Sequence, residues 1–239
     1  MPMVLVSVLV SSLVGCGSPS ERIVVLAASS LTESFTDLEH RFEADHPGVD
    51  VVVSFGGSST LAGQLAQGVA ADVFAAADLP TMDRVRSDLT DAPIVFARNR
   101  LVIAVRSGNP ADVAGLADLA RDDVVVVLAA PEVPAGRYAA AIVEASGVEI
   151  RPASLEQNVR AAAAKVALGE ADAAIVYLTD VTARPGDLDA IELDTIDLGS
   201  DVVADYPIAA VTEVGREFVE FVTGSIGRET MAAHGFELP

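Results

Sequence analysis

The stretch RIVVLAASSLTESFTDLEHRFEADHPGVDVVVSFGGSSTLAGQLAQG, residues 22–68, changes its hydrophobic period repeatedly. It opens with RIVVLAA, an apolar run of strand length. SLTESFTDLEHRFEADHPG then places Leu31, Phe35, Leu38 and Phe42 at helical spacing and stops at Pro47 and Gly48. VDVVVSF returns to a strand, and STLAGQLAQG reads as a helix closed by Gly68. Outward from there the alternation continues. ADVFAAAD, NRLVIAVRSG and DDVVVVLA read as strands, helices start at about Ala135 and about Asn158, ADAAIVY and DYPIAAV are strands, and two helical segments finish the chain. This order predicts a parallel α/β architecture. Neither an internal repeat nor a Gly/Ser linker divides it, and the Pro and Gly clusters at 107–110 and 184–186 read as loops. A chain of this kind with two lobes must cross between them along ordered strands.

With 239 residues, 51% of them hydrophobic, the chain can bury a full core in one large or two modest domains. Its 15 basic and 35 acidic residues give a net charge of −20, which excludes non-specific attraction to nucleic acid or anionic lipid. Residues 3–14 form an apolar run ending in LVGC, too short to span a bilayer and followed by the polar GSPSE. That pattern resembles a bacterial lipoprotein signal in which Cys16 becomes the lipid-modified first residue, although no Lys or Arg precedes the run. Residues 1–19 are then signal and tether, and the protein is exported and membrane-anchored outside the cytoplasm. Cys16 is the only cysteine, so an internal disulfide and cysteine chemistry are both excluded.

Four places hand a strand or loop over to a helix start in similar fashion: AASSLTE, GGSSTLA, EVPAGRY and EQNVRAA. The first backbone N–H groups of a helix lack intrahelical acceptors and sit at the positive end of its dipole, so such junctions suit an anion. Small residues let an anion approach the backbone, and serine hydroxyls add donors without charge. Ser30 with Glu33 is also an S-x-x-E capping box, the commoner reason for that pattern, and Glu33 is expected to point to solvent. A tyrosine ending the apolar run AAIVY, Tyr177, adds a further donor.

VLAASSLTESF, SFGGSSTLAGQLAQGVAADVFAAAD, PEVPAGRYA and GEADAAIVYLTD, in this order and at these separations, resemble the molybdate-binding proteins of bacterial ABC importers over roughly Ile23 to Leu238. The resemblance implies a type II periplasmic-binding-protein fold, two α/β lobes joined by two crossover strands, with the oxyanion between the lobes. Carried over position by position, it places the ligand contacts on Ser30 and Ser58 (backbone N–H and hydroxyl), Ala135 and Val159 (backbone N–H) and Tyr177 (hydroxyl). Ser29 and Ser59 lie beside the matched serines. Lobe one is expected at about 20–99 plus 208–239 and lobe two at about 100–207, with RLVIAVR and YPIAAV crossing between them. The implied protein is a monomeric receptor, not an enzyme, that needs no cofactor, binds molybdate or tungstate and presents it to an ABC permease.

Donors alone also select. Phosphate near neutral pH keeps a proton that a site without acceptors leaves unsatisfied, whereas molybdate, tungstate and sulfate are fully ionised. Sulfate or a related oxyanion is therefore the alternative ligand. A serine hydrolase is more remote: Ser30 and Ser58 lie in no nucleophile elbow, and none of the junctions holds a histidine. His40, His46 and His234 lack metal-ligand spacing, so no cation site is expected. Tyr138, Tyr177 and Tyr206 are too scattered for the adjacent tyrosines of ferric-ion binders on this fold. Asp72 and Asp78 could suggest acid/base work, but a turn for Asp72 and a helix cap for Asp78 explain them better.

Overall fold

The structure is a computed structural model that describes residues 21–193 and 203–239. Cys16, and with it the lipidation reading, lies outside the described residues. The first half begins with β1 (Glu21–Ala28), a tight turn at Ser29–Leu31, α1 (Thr32–Asp45), β2 (Val49–Gly56) and α2 (Ser58–Ala66). It continues with β3 (Val73–Ala75), α3 (Leu79–Asp83) and the long β4 (Ile94–Arg106). The second half contains β5 (Val126–Ala129), α4 (Pro134–Ser146), β6 (Ser154–Glu156), α5 (Val159–Ala167), β7 (Ala173–Tyr177), α6 (Leu178–Thr182) and β8 (Leu188–Glu192). The chain then returns through β9 (Val203–Ala210) to α7 (Gly215–Thr223) and α8 (Ser225–Ala233).

The strands lie in the order β2-β1-β3-β9-β4-β7-β5-β6, with β8 also on β4. β4 changes partners midway: residues up to Arg100 pair with β9, and from Leu101 on they pair with β7. One continuous strand therefore serves two lobes, and this crossing is more extensive than NRLVIAVRSG suggests, because the strand already begins at Ile94. Two further strands are short, β6 mostly half-buried and β8 mostly exposed, and neither carries an apolar run to announce it.

Each lobe is parallel at its heart. β1 pairs in parallel with β2 and β3, and β5 pairs in parallel with β6 and β7. The register sets Ala28 beside Gly56 in one lobe and Ala129 beside Glu156 in the other. The four junctions thus emerge from the carboxyl ends of neighbouring strands, where open α/β sheets form their crevices.

The helical period of α1 works as read: Leu31, Phe35, Leu38 and Phe42 are fully buried. Phe35 and Phe42 meet Phe218 of α7 edge-on at 6.2 and 5.3 Å, and Phe221 adds a further edge contact to Phe42. Each such side chain contributes about 1.5–3 kcal/mol by leaving water, so the C-terminal helices are fastened to the first lobe by aromatic packing.

Candidate oxyanion site

Ser30, Ser58, Ala135, Val159 and Tyr177 line one small cavity, together with Gly57, Ala77 and neighbouring backbone. The space is narrow, about 10 Å3, on the order of the volume that admits one water. That is far below the size of a pocket for an organic ligand. The first two residues come from the β1 and β2 ends of the first lobe, the other three from the β5, β6 and β7 ends of the second.

The donors are free by construction. α2 and α4 have no side-chain cap, and α4 begins with Pro134, which has no N–H to offer, so Ala135 carries its first amide. In α5 the Asn158 side chain caps the amide of Ala161 at 2.9 Å and leaves that of Val159 uncapped. Three helices of at least two turns thus direct their positive ends at one point.

The hydroxyls are equally constrained. Ser58 Oγ accepts the backbone N–H of Ala77 at 3.1 Å. Ser30 Oγ lies 2.8 Å from the phenol oxygen of Tyr206 on β9. Tyr177 is 1% exposed, and its hydroxyl has no hydrogen-bond partner among the described residues. Burial pushes that phenol well above the ordinary tyrosine range, so it stays protonated, a neutral donor. Its backbone is fixed from below: the Tyr177 N–H donates to Asp180 Oδ2 at 3.3 Å, and burial raises the Asp180 carboxyl to about 7.

The lobes meet tightly around this cavity. Gly57 sits so close to the second lobe that a Cβ there would lie 2.5 Å from the carbonyl oxygen of Gln157. Ser59 donates across the cleft to the carbonyl of Glu132. Two arginine pairs straddle the opening. Arg160, next to Val159, grips Glu33 through two 2.6 Å bonds. Arg137 of α4 reaches Asp78 and Thr81 of the first lobe, the latter at 2.6 Å. Neither arginine lines the cavity, and each is matched by a carboxylate.

Two expectations are corrected here. The Ser30–Glu33 capping box does not form, because the turn at Ser29–Leu31 delays α1 to Thr32 and Tyr206 takes the Ser30 hydroxyl. Nor is Glu33 free in solvent: its carboxylate faces away from the cavity but into the Arg160 pair, which helps hold its pKa below the usual range against the opposing effect of burial.

Both acids make structural bonds, but only Asp78 does so in the way the sequence suggested. Asp72 does not organise a local turn but ties β1 to the segment after β9, through the Val24 amide at 2.8 Å and the Thr212 hydroxyl at 2.6 Å. Asp78 caps α3 by accepting from Thr81 N–H at 3.0 Å, and it also anchors Arg137. His40 is exposed, His46 stacks on Phe42, and His234 lies 3.4 Å from Asp37; among the described residues no cluster could hold a metal ion. A roomier cleft of about 320 Å3 backs onto the other side of Ser30, but Glu33 lines it.

Residues 23–237 match the family described as bacterial extracellular solute-binding protein. The molybdate-binding protein ModA of Mycobacterium tuberculosis H37Rv is 37% identical over 252 aligned residues, covering 98% of this chain and 95% of that protein. Among solved structures, the periplasmic molybdate-binding protein of Azotobacter vinelandii superimposes with a TM-score of 0.77 at 20% identity, covering 91% of this chain and 99% of that one. The sulfate-binding protein SubI of M. tuberculosis does so with 0.74 at 20% identity, covering 91% and 87%. These structures share the two-lobed type II binding-protein fold with this chain.

Proposed function

Because the chain belongs to the bacterial extracellular solute-binding proteins, we propose that it captures molybdate between its lobes outside the membrane and presents it to an ABC permease. One observation carries this reading: Ser30, Ser58, Ala135, Val159 and Tyr177, drawn from both lobes, converge on one small cavity with donors and no carboxylate. A dianion leaving water there loses a large hydration energy, and several aligned donors replace it. Lobe one comprises residues 20–99 and 208–239, and lobe two residues 100–207. The ion bridges them, as the cleft closes over it.

Neutral donors suit a cargo that must later be released. Tungstate, with the same charge and shape, binds as molybdate does. Monohydrogen phosphate is refused, because its O–H finds no acceptor. Cys16 supplies a lipid anchor that keeps the monomeric receptor near its permease. The site needs no cofactor and performs no bond chemistry: no histidine lines the cavity to activate Ser30 or Ser58, and both hydroxyls are already engaged.

Sulfate is the second reading, favoured by the fold shared with the sulfate-binding protein. Calorimetric titration with molybdate, tungstate, sulfate and phosphate separates the two. Tight binding of molybdate and tungstate with sulfate much weaker is the expected result. Tight sulfate binding without molybdate binding would overturn the assignment of the ion.

A further inference from the structure

Ser58 and Ser59 open α2 side by side and then diverge. Ser58 lines the cavity, whereas the half-buried Ser59 does not, and donates its hydroxyl across the cleft to the backbone carbonyl of Glu132. We propose that Ser59 is a positioning residue whose bond to Glu132 sets the Ala135 amide of lobe two opposite Ser58 of lobe one and thereby slows release of the bound anion. This rests on the oxyanion reading above and extends it to a residue that does not touch the ion.

The Glu132 carbonyl is a handle on Ala135 because the chain between them is stiff. Residues 130–133 form a turn closed by the Val133 N–H on the Ala130 carbonyl at 2.8 Å. Pro134, its φ fixed by the ring, follows as the first residue of α4, and the Val133 carbonyl accepts the Arg137 N–H at 3.0 Å. At Gly136 a Cβ would lie 2.0 Å from the Ala130 carbonyl oxygen, so this turn and the start of α4 are in direct backbone contact. A displacement of Glu132 is therefore felt at Ala135.

The same carbonyl accepts Arg137 Nη1 at 2.6 Å from within lobe two. Its two lone pairs are thus engaged one by each lobe. On the other side, Ser59 shares the first turn of α2 with Ser58, whose hydroxyl is held by the Ala77 N–H at 3.1 Å. The Ser59 bond joins the lobes, so it is lost when the cleft opens. A contact that belongs to the closed form alone slows dissociation and leaves the first encounter with the ion unchanged.

The test follows release of radiolabelled molybdate into excess unlabelled molybdate, with affinities from calorimetry, in the wild type, Ser59→Ala, Ser59→Thr and Glu132→Ala. Ser59→Ala releases the ion about three- to tenfold faster, the scale of one neutral hydrogen bond, with affinity lower by the same factor and the association rate unchanged. Its ligand-free thermal midpoint stays that of the wild type, because alanine is at ease in a helix. Ser59→Thr keeps a hydroxyl and restores slow release. Glu132→Ala releases the ion as the wild type does, since the acceptor is the main-chain carbonyl. In molybdate-saturated protein, Ser59→Ala shifts the amide resonances of Val133 and Ala135 more than that of Val159, a contrast that direct contact between Ser59 and the ion would not produce. Unchanged release in Ser59→Ala, no rescue by threonine, faster release in Glu132→Ala, or equal shifts at Ala135 and Val159 would each overturn the role given to Ser59 while the oxyanion reading stands. A wild type that does not bind molybdate overturns both.

Discussion

Tyr177 has the sharpest consequence of any single side chain. Its hydroxyl is buried without a partner among the described residues, so removing it is expected to cost the ligand-free fold nothing and the complex one charge-assisted bond. Tyr177→Phe is expected to keep or slightly raise the thermal midpoint without ligand, and to weaken molybdate about 10–100-fold in calorimetry. Unchanged affinity would remove Tyr177 from the site. Asp180, beneath it, predicts a pH effect on stability. Burial raises its carboxyl from 3.8 to about 7 in the folded protein. Below the ordinary value both states are protonated; between the two values the unfolded chain ionises while the folded one holds its proton, so stability falls as pH rises and levels off above 7. Asp180→Asn keeps an acceptor for the Tyr177 amide. Its thermal midpoint should exceed the wild type's at pH 8, by about 2–4 °C per kcal/mol relieved, and the gap should close towards pH 4. A gap that is constant with pH would mean that Asp180 does not titrate in this window.

At the scale of the elements, the strand-to-helix junctions were legible because period and composition are local: apolar runs, then Ser, Gly or Pro at a helix start. What crosses the cleft was not. Arg160 and Glu33 stand 127 residues apart, and Arg137 and Asp78 stand 59 apart, so no spacing along the chain links them. Tyr206 escaped for the same reason: an isolated aromatic in DYPIAAV reads as core, and only the sheet order brings it to Ser30. The small residues of SFGGSST gain their meaning from the far wall. Gly57 has φ −62° and ψ 127°, which alanine adopts without strain, so Gly57→Ala should leave each lobe intact. Its Cβ would nevertheless strike the Gln157 carbonyl and prop the cleft open. The expected result is an unchanged ligand-free melting curve, a loss of molybdate affinity of about tenfold or more, and no contraction on adding molybdate in small-angle scattering. Normal affinity would show that closure does not bring these surfaces together. Arg160→Gln acts more gently, because Glu33 is 38% exposed and its pair is screened. About a two- to fivefold loss of affinity, smaller still at high salt, is expected from titrations at two ionic strengths.

The whole molecule sets a paradox that its site resolves. A chain with a net charge of −20 takes up a dianion, and the arginines nearest the cavity are matched by carboxylates. Salt screens most of the long-range repulsion, over a Debye length of about 8 Å at physiological ionic strength. On the proposed site, attraction is then local, supplied by helix amides and hydroxyls that both lobes contribute. The most direct measurement is an anomalous difference map, recorded at the molybdenum edge, from crystals of the protein grown with molybdate. Capture by neutral donors puts a single peak among Ser30, Ser58, Ala135, Val159 and Tyr177, with its oxygens on amides and hydroxyls. A peak outside the cleft, or one whose oxygens are held chiefly by Arg137 or Arg160, would contradict it.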